Sequence, residues 1–302
     1  MANITPQDIR ELRDMTGCGL KDCKSALEET NGNRDEAVKI LREKGLTKAA
    51  KKAGRIAAEG VVKAKVKGDT GVVVEVNCET DFAAKSDKFL ALVEVVADTI
   101  LDNDVADVEA LADCTASGTS EKLGDYLTNQ IATLGENIKV RRFTKMNGTL
   151  VPYMHDGGRI GAMVKISTDK PADPEITACA KNVVLQITAM NAQYVCRHCV
   201  PESVIANEKE VQTKLVEQEG KPANVAEKIV EGRMRKFYED VCLLDQAYFK
   251  DDKMSVGKYV ESVAKAQGAT LSIEDFVRYE RGEGIEKKQD DFASEVAQLA
   301  GN

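Results

Sequence analysis

Tryptophan is absent from this 302-residue sequence, and histidine occurs twice. So few histidines leave little material for a histidine-based metal site or for acid–base catalysis, and we expect neither a metal nor a cofactor. No apolar run approaches the ~18 residues that a membrane-spanning helix requires. The opening residues Met-Ala-Asn-Ile-Thr-Pro lack the pattern of a secretion or transit signal. We therefore expect a cytoplasmic protein whose eight cysteines are reduced thiols.

The chain also lacks an excess of positive charge. Its 42 Lys and Arg residues stand against 50 Asp and Glu residues, for a net charge of −8. Phosphate backbones are bound by an excess of cations, so direct nucleic-acid binding is not expected. Glycine-rich phosphate loops, a Gly-x-Ser-x-Gly elbow and a His-Glu-x-x-His pair are also missing, which argues against an enzyme. At about 150 residues per domain, the length predicts roughly two domains.

Residues 1–55 form a unit of three short amphipathic helices in this interpretation. The first starts at Thr5-Pro6, carries Ile9, Leu12 and Met15 on one face, and ends at Gly17. The second starts at Leu20, and the third opens after Asn33 and ends before Gly45. The loop at 15–20 resembles the first loop of ubiquitin-associated domains. So small a unit has no room for an enzyme pocket, and we expect a docking domain.

The basic stretch 48–55 permits two interpretations. Its cations could bind RNA, or the stretch could be a solvated, partly helical linker. No aromatic residue interleaves with the charges, which favours the linker.

A diverged duplication occupies the middle of the chain. Alternating residues at 61–76 predict a β-hairpin with one buried face, and an amphipathic helix follows at 89–100. The same order returns about 90 residues later, with a hairpin over 150–166 and a helix over 173–190. The predicted fold class is α+β, with related core subdomains at 56–144 and 145–280, each an antiparallel hairpin packed on helices.

Two helical modules complete the predicted architecture. Residues 200–237 are charged and carry a thin apolar seam, which predicts a projecting antiparallel helical hairpin inserted in the second subdomain. Such a hairpin is a candidate surface for self-association. Residues 281–302 form a C-terminal module, with Phe292 on the apolar stripe of its helix.

Cys196-Arg-His-Cys199 is the one Cys-x-x-Cys in the sequence. A structural zinc site needs a second pair of ligands, and a thioredoxin-type site needs a neighbouring βαβ pattern; neither is present. The favoured interpretation is a pair of reduced thiols near the base of the helical hairpin.

The segment 78–87 lies between a strand end and a helix start. In it Phe82 follows Thr80 and Asp81 and precedes the small residue Ala83. By one interpretation Phe82 packs into the local core while Thr80 or Asp81 caps a turn. By the other it is an exposed aromatic, next to a carboxylate, that enters a crevice of another protein.

Thr80-Asp-Phe-Ala-Ala-Lys resembles the Thr-Asp-Phe-Val-Ala-Lys/Arg signature of bacterial elongation factor Ts. Further motifs in the family order are Glu-Leu-Arg-Asp-Met-Thr-Gly-Cys-Gly-Leu at 11–20, Lys-Ala-Ala-Lys-Lys-Ala-Gly at 48–54, Gly-Glu-Asn-Ile at 135–138, Ala-Glu-Lys-Ile-Val-Glu-Gly-Arg-Met at 226–234 and Gly-Glu-Gly-Ile-Glu-Lys at 282–287. The chain departs from the family pattern at Ala83, where Val is usual, and at Leu20, where Met is common. Both positions stay apolar.

The resemblance implies a guanine-nucleotide exchange factor for the GTPase elongation factor Tu, without covalent chemistry. It implies that Thr80, Asp81, Phe82 and Ala83 disturb the magnesium bound by that partner. It also implies further partner contacts by four residues: Arg13, Leu20, His155 and Phe292. The competing class is a translation- or RNA-associated scaffold without exchange activity, and an enzyme of unfamiliar fold is the weaker third class.

Overall fold

Helices and strands share the chain, as the sequence predicts. A computed structural model describes residues 4–220 and 222–286. The helices are α1 (Pro6–Thr16), α2 (Leu20–Glu29), α3 (Arg34–Lys52), α4 (Asp81–Ala84), α5 (Asp87–Asp102), α6 (Val108–Leu111), α7 (Leu123–Leu134), α8 (Pro174–Met190), α9 (Glu202–Gln218), α10 (Ala223–Val241) and α11 (Val256–Gln267). The strands are β1 (Glu59–Lys67), β2 (Thr70–Cys78), β3 (Lys139–Asn147), β4 (Thr149–His155), β5 (Ile160–Thr168), β6 (Ala247–Tyr248), β7 (Asp251–Ser255) and β8 (Leu271–Glu280). The α+β class is confirmed.

Two three-stranded sheets have the same plan. Their strand orders are β1-β2-β3 and β4-β5-β8, so in each a hairpin is joined by a later strand that pairs with its second strand. β6 and β7 form a separate antiparallel pair. The repeated plan agrees with the duplication seen in the sequence.

The chain divides into two compact units. Of the described residues, unit one contains 4–62, 74–143 and 280–286, and unit two contains 63–73, 144–220 and 222–279. The four-part division predicted from the sequence stays a prediction. The predicted terminal helix lies outside the described residues, and no helix that the structure describes is long and apolar enough to cross a membrane.

The first three helices form because each start is capped. Thr5 and Asp8 make reciprocal bonds at the start of α1, and Asn33 accepts a bond from the Glu36 amide at the start of α3. A small apolar core joins the three helices; its buried members are Leu12, Cys23, Ala26, Leu27, Ala37 and Leu41.

The prediction that the third helix ends before Gly45 is wrong. α3 continues to Lys52, so residues 48–52 of the basic stretch are helical. Gly45 faces α7, where a Cβ on it would lie 3.6 Å from the Cβ of Ala132. Packing of α3 against α7 outweighs the low helix propensity of one glycine.

The prediction of one buried face for the first hairpin is also wrong for β2. Val72, Val74 and Val76 are buried as expected, but so are Glu75 and Asn77 between them. β2 is the central strand of its sheet, and side chains on both of its faces are buried.

Glu75 is fully buried and ionised among cations. Its carboxylate accepts bonds from Arg142 Nε at 2.7 Å, Arg141 Nη1 at 3.1 Å, Asn77 Nδ2 at 3.0 Å and the Gly282 amide at 2.8 Å. Burial alone would raise the pKa of Glu75, but the bonds from the Gly282 amide, Asn77 and the Arg142 guanidinium lower the pKa below its ordinary value of 4.5. We call Glu75, Asn77, Arg141, Arg142 and Gly282 the Glu75 cluster.

Unit two is built on its own hairpin. β4 and β5 pair antiparallel from Thr149 with Ile166 to His155 with Ile160. α8 packs on this hairpin and α11 packs on α8, around a core that includes Val164, Ile176, Val183, Ile187 and Val260. Ser255 caps α11 by accepting a bond from the Lys258 amide.

α9 and α10 form the predicted helical hairpin in unit two. Its apolar seam is thin: the buried members are Val216, Val230 and Met234. Its exposed apolar side chains include Val211, Leu215 and Val225.

Candidate functional site

The residues from Thr80 to Lys85 form a single rigid turn between β2 and α5, which we call the wedge segment. Thr80 caps α4 by accepting a bond from the Ala83 amide at 3.2 Å. Ser86 caps α5 and also donates its hydroxyl proton to the Ala83 carbonyl at 2.7 Å. Both ends of the turn are therefore fixed by hydroxyl side chains.

Glu136 holds the wedge segment from the side. Its carboxylate accepts bonds from the Thr80 amide at 3.1 Å, the Thr80 hydroxyl at 2.5 Å and the Glu79 amide at 3.1 Å. In return, the Asn137 amide donates to Glu79 Oε1 at 2.6 Å. Bonds to a carboxylate are short and strong, so the backbone that enters α4 is pinned to the segment that follows α7.

Phe82 lies outside the core. Its side chain is 84% exposed, whereas Ala84 is buried with 2% exposure and takes the inward position of the turn. Full burial of an aromatic side chain would stabilise the fold by about 1.5–3 kcal/mol. The exposed Phe82 ring does not make this contribution to the stability of the protein. The interpretation of Phe82 as a core residue is therefore wrong. The structure shows an exposed aromatic ring on a rigid support.

Asp81 adds a negative charge next to the ring. Lys85 Nζ lies 2.8 Å from Asp81 Oδ2, and this bond lowers the pKa of Asp81 below its ordinary value of 3.8. Asp81 is therefore ionised at neutral pH. Both side chains reach solvent, so the pair can exchange partners at little cost.

A second exposed apolar patch lies where α1 meets α2. Met15 is 66% exposed and Leu20 is 51% exposed, and Arg13 is exposed on the same last turn of α1. The prediction that Met15 lies on the buried face is wrong, because Thr16 takes the inward position after Leu12. The Thr16 hydroxyl lies 3.9 Å from the sulfur of buried Cys23.

His155 belongs to unit two and is exposed at the end of β4. Its Nδ1 lies 3.3 Å from the Tyr153 hydroxyl, and the two rings are tilted with centroids 6.2 Å apart. Phe292 lies outside the described residues.

Two cations of the basic stretch 48–55 form ion pairs with carboxylates. Lys48 Nζ lies 2.8 Å from Asp22 Oδ2, and Arg55 Nη1 lies 3.4 Å from Glu79 Oε2. This pairing reduces the positive field that a phosphate backbone would meet at this surface.

No group of three or more potential metal-ligating side chains comes together within residues 4–220 and 222–286. A pocket of about 660 Å³ lies along α9 and α10. The wedge segment instead presents an exposed aromatic side chain, a feature suited to contact with a partner protein.

Sequence reasoning missed three residues of this site. Glu136 stands in the Gly-Glu-Asn-Ile motif, but nothing local shows that its carboxylate reaches back to Thr80. Lys85 stands four residues after Asp81, the spacing of a helical ion pair, and that signal was available. Met15 could be placed only once Thr16 was seen to face Cys23.

Known proteins resemble this chain over almost its whole length. The family model described as elongation factor TS matches residues 79–283, which include the wedge segment and the Glu75 cluster's Gly282. A protein named elongation factor Ts from Symbiobacterium thermophilum is 47% identical, with 100% of this chain and 99% of the relative covered. Those of the same name from Clostridium acetobutylicum and Clostridioides difficile are each 45% identical, over 97% and 98% of this chain and 97% and 99% of theirs.

Proposed function

Since the chain belongs to the elongation factor Ts family and is a translation elongation factor, we propose that it is the guanine-nucleotide exchange factor of elongation factor Tu. Exchange requires release of a tightly held nucleotide and no covalent chemistry. The observation that supports the proposal is the exposed Phe82 ring on a turn that Thr80, Ser86 and Glu136 hold rigid.

In the proposed mechanism the wedge segment enters the GTPase near its bound magnesium. That ion neutralises the diphosphate of GDP, so its displacement weakens the hold on the nucleotide. Phe82 supplies the apolar volume that separates partner elements, and the ionised Asp81 brings a negative charge toward the ion's own ligands. Ala83 and Thr80 shape the turn that presents both side chains.

The rigidity of the turn matters for the free energy of this step. A 10⁴-fold acceleration of GDP release requires about 5.5 kcal/mol of barrier lowering. A flexible loop would lose part of that energy in ordering itself, whereas the wedge segment is ordered before it binds. By linkage, bound nucleotide weakens the affinity of this protein for its partner by the same factor by which this protein weakens the partner's affinity for nucleotide, so the complex turns over.

Further contacts are proposed at the residues that the family resemblance implies. Leu20 and Arg13, with the neighbouring Met15, would dock the N-terminal helices on the GTPase domain. His155 would approach another domain of the partner. Phe292 belongs to this proposal on sequence grounds alone.

Self-association is proposed for the helical hairpin. The exposed Val211, Leu215 and Val225 supply the apolar surface that it requires. Sedimentation of the full-length protein and of a Val211→Ser/Leu215→Ser variant tests this, and a monomeric wild type would refute it.

The exchange proposal is tested by stopped-flow release of fluorescent GDP from elongation factor Tu. Phe82→Ala is expected to slow catalysed release about 10- to 100-fold, because most of the inserted volume is removed. Its thermal unfolding should match that of the wild type, because the ring makes little contact with its own core.

Leu90→Ala is the matched control, because Leu90 is a nearby apolar side chain with 40% exposure. It should leave exchange unchanged and lower the stability slightly, because the rest of the side chain is buried. Phe89→Ala is the opposite control, because removal of this buried ring should lower the stability by about 3–5 kcal/mol. Normal exchange by folded Phe82→Ala would refute the wedge mechanism, and failure of the wild type to accelerate release would refute the exchange function.

A further inference from the structure

The turn that leads into the helical hairpin carries two thiols in contact. Cys196 Sγ and Cys199 Sγ lie 2.8 Å apart, and Cys199 is exposed while Cys196 is half-buried. A disulfide bond is about 2.03–2.05 Å long, so bond formation needs the sulfurs to approach by less than about 1 Å. From this geometry we infer that Cys196 and Cys199 form an intramolecular, reversible disulfide, a modification site in unit two.

The backbone of the turn is already shaped for this bond. The Cys199 amide donates to the Cys196 carbonyl at 3.0 Å, and the Val200 amide donates to the Arg197 carbonyl at 3.2 Å. Turns closed by such bonds hold the first and fourth Cα atoms within about 7 Å, and disulfides span about 4.4–6.8 Å. Rotation of the two side chains is then sufficient, without rearrangement of the chain.

Neighbouring residues fix the turn in place. Arg197 Nη2 lies 2.7 Å from Asp245 Oδ1, and its guanidinium lies over the Tyr238 ring at 5.1 Å. Val195 and Val200 on either side of the turn are buried. The thiols are therefore held next to each other in the folded protein.

Four of the six other cysteines differ from this pair. Cys78, Cys179 and Cys242 are buried, and burial raises the pKa of each thiol, to about 12, about 11 and about 11. Contact with Cys196 raises the pKa of Cys199 as well, so what distinguishes Cys199 from these three thiols is its exposure to oxidants in solution. The half-buried Cys114 bonds to the Ala110 carbonyl of its own helical turn and serves as a control.

The bond-forming step uses a low-molecular-weight disulfide such as oxidised glutathione. The thiolate of exposed Cys199 attacks one glutathione sulfur, and one glutathione thiolate leaves. The thiolate of Cys196 then attacks Cys199 Sγ in the mixed disulfide, and the second glutathione thiolate leaves. The two cysteines lose two electrons and two protons in total, and the glutathione disulfide becomes two glutathione thiols.

The test equilibrates the full-length protein with stepped ratios of oxidised to reduced glutathione, blocks free thiols with N-ethylmaleimide, and digests the unfolded product with trypsin. Cleavage after Lys181, Arg197 and Lys209 separates the two cysteines into peptides 182–197 and 198–209. The expected result is one linked pair of these peptides, which reducing agent separates. Cys196→Ser and Cys199→Ser should each abolish the linked pair, and Cys114→Ser should leave it unchanged.

The same titration in guanidinium chloride shows whether the fold builds the site. The native turn should lower the ratio of oxidised glutathione needed for half-oxidation by at least about tenfold, equivalent to about 30 mV. Equal midpoints in the native and the unfolded chain would overturn the inference. So would separate alkylation or separate glutathione adducts on the two cysteines across the whole range, or a Cys199 link between two copies.

Discussion

Replacing Glu75 by Gln tests how the buried carboxylate of the Glu75 cluster stabilises unit one. The substitution keeps the size of the side chain but removes its charge, and it places an amide donor among the donors of Arg141, Arg142, Asn77 and Gly282. Breaking a buried ion pair by removing one partner costs about 3–5 kcal/mol. The loss here should lie near the lower end, about 3 kcal/mol, because Arg141 and Arg142 are partly exposed and Arg142 Nη2 keeps an ion pair with Glu283 Oε2 at 3.0 Å. For a unit of this size the unfolding midpoint should fall by about 6–12 °C.

Circular dichroism measures that midpoint, and hydrogen exchange localises the loss. The Gly282 amide donates directly to Glu75, so its protection should fall more than that of the amides in β5 of unit two. Glu29→Gln is the matched control, because Glu29 makes an exposed ion pair with Lys44 at 2.6 Å. This variant should unfold at the wild-type temperature.

The pH dependence supplies the sign of the effect. The folded pKa of Glu75 lies below the ordinary value of 4.5, so its contribution to stability is complete above pH 4.5 and is lost as the pH falls through the folded pKa. Wild type and Glu75→Gln should therefore differ most above pH 4.5 and converge below it. A variant that unfolds within about 1 °C of the wild type at neutral pH would refute the assignment of Glu75 as a compensated buried charge.

Three further predictions concern the wedge segment, α3 and the end of α1. Glu136→Gln should slow catalysed GDP release about 10-fold or more in the stopped-flow assay while the protein stays folded, because the turn loses the carboxylate that pins Thr80; an unchanged rate would show that this anchor is dispensable. Gly45→Ala should raise stability by about 0.5–1 kcal/mol in chemical denaturation, because the new methyl group meets Ala132 at ordinary contact distance. Gly17→Ala should instead lower stability by about 1–2 kcal/mol, because its φ of 66° is strained for alanine; equal effects at the two glycines would contradict this reasoning.

Local patterns in the sequence predict most of the helices. The stripe from Phe89 to Ile100 is buried along α5, and Thr5 and Asn33 cap the helices that they were expected to start. Caps and stripes are set by residues within a few positions of one another, which is why a single sequence reveals them.

Features that depend on distant residues could not be read from the sequence. Gly45 ends no helix because Ala132 packs against it, and Glu75 is buried because cations from 141 and 142 reach it. The same limit applies to the site. The sequence placed Phe82 between a strand and a helix, but the choice between core and surface depended on Ala84 taking the inward position and on Glu136.

Unit one is built from segments that are far apart in the chain, and this separation has a consequence during synthesis on the ribosome. Glu75 and its Gly282 donor are 207 residues apart in the chain. At about 5–20 residues per second, a ribosome needs about 10–40 s to cover that distance. Throughout this interval the nascent chain holds a carboxylate whose final donor has not been synthesised, and water must take the donor's place. Chains released before residue 282 is added would keep a Glu75 carboxylate bonded to water in place of the Gly282 amide. We expect such chains to be less stable, and therefore more readily digested by proteases, than finished molecules.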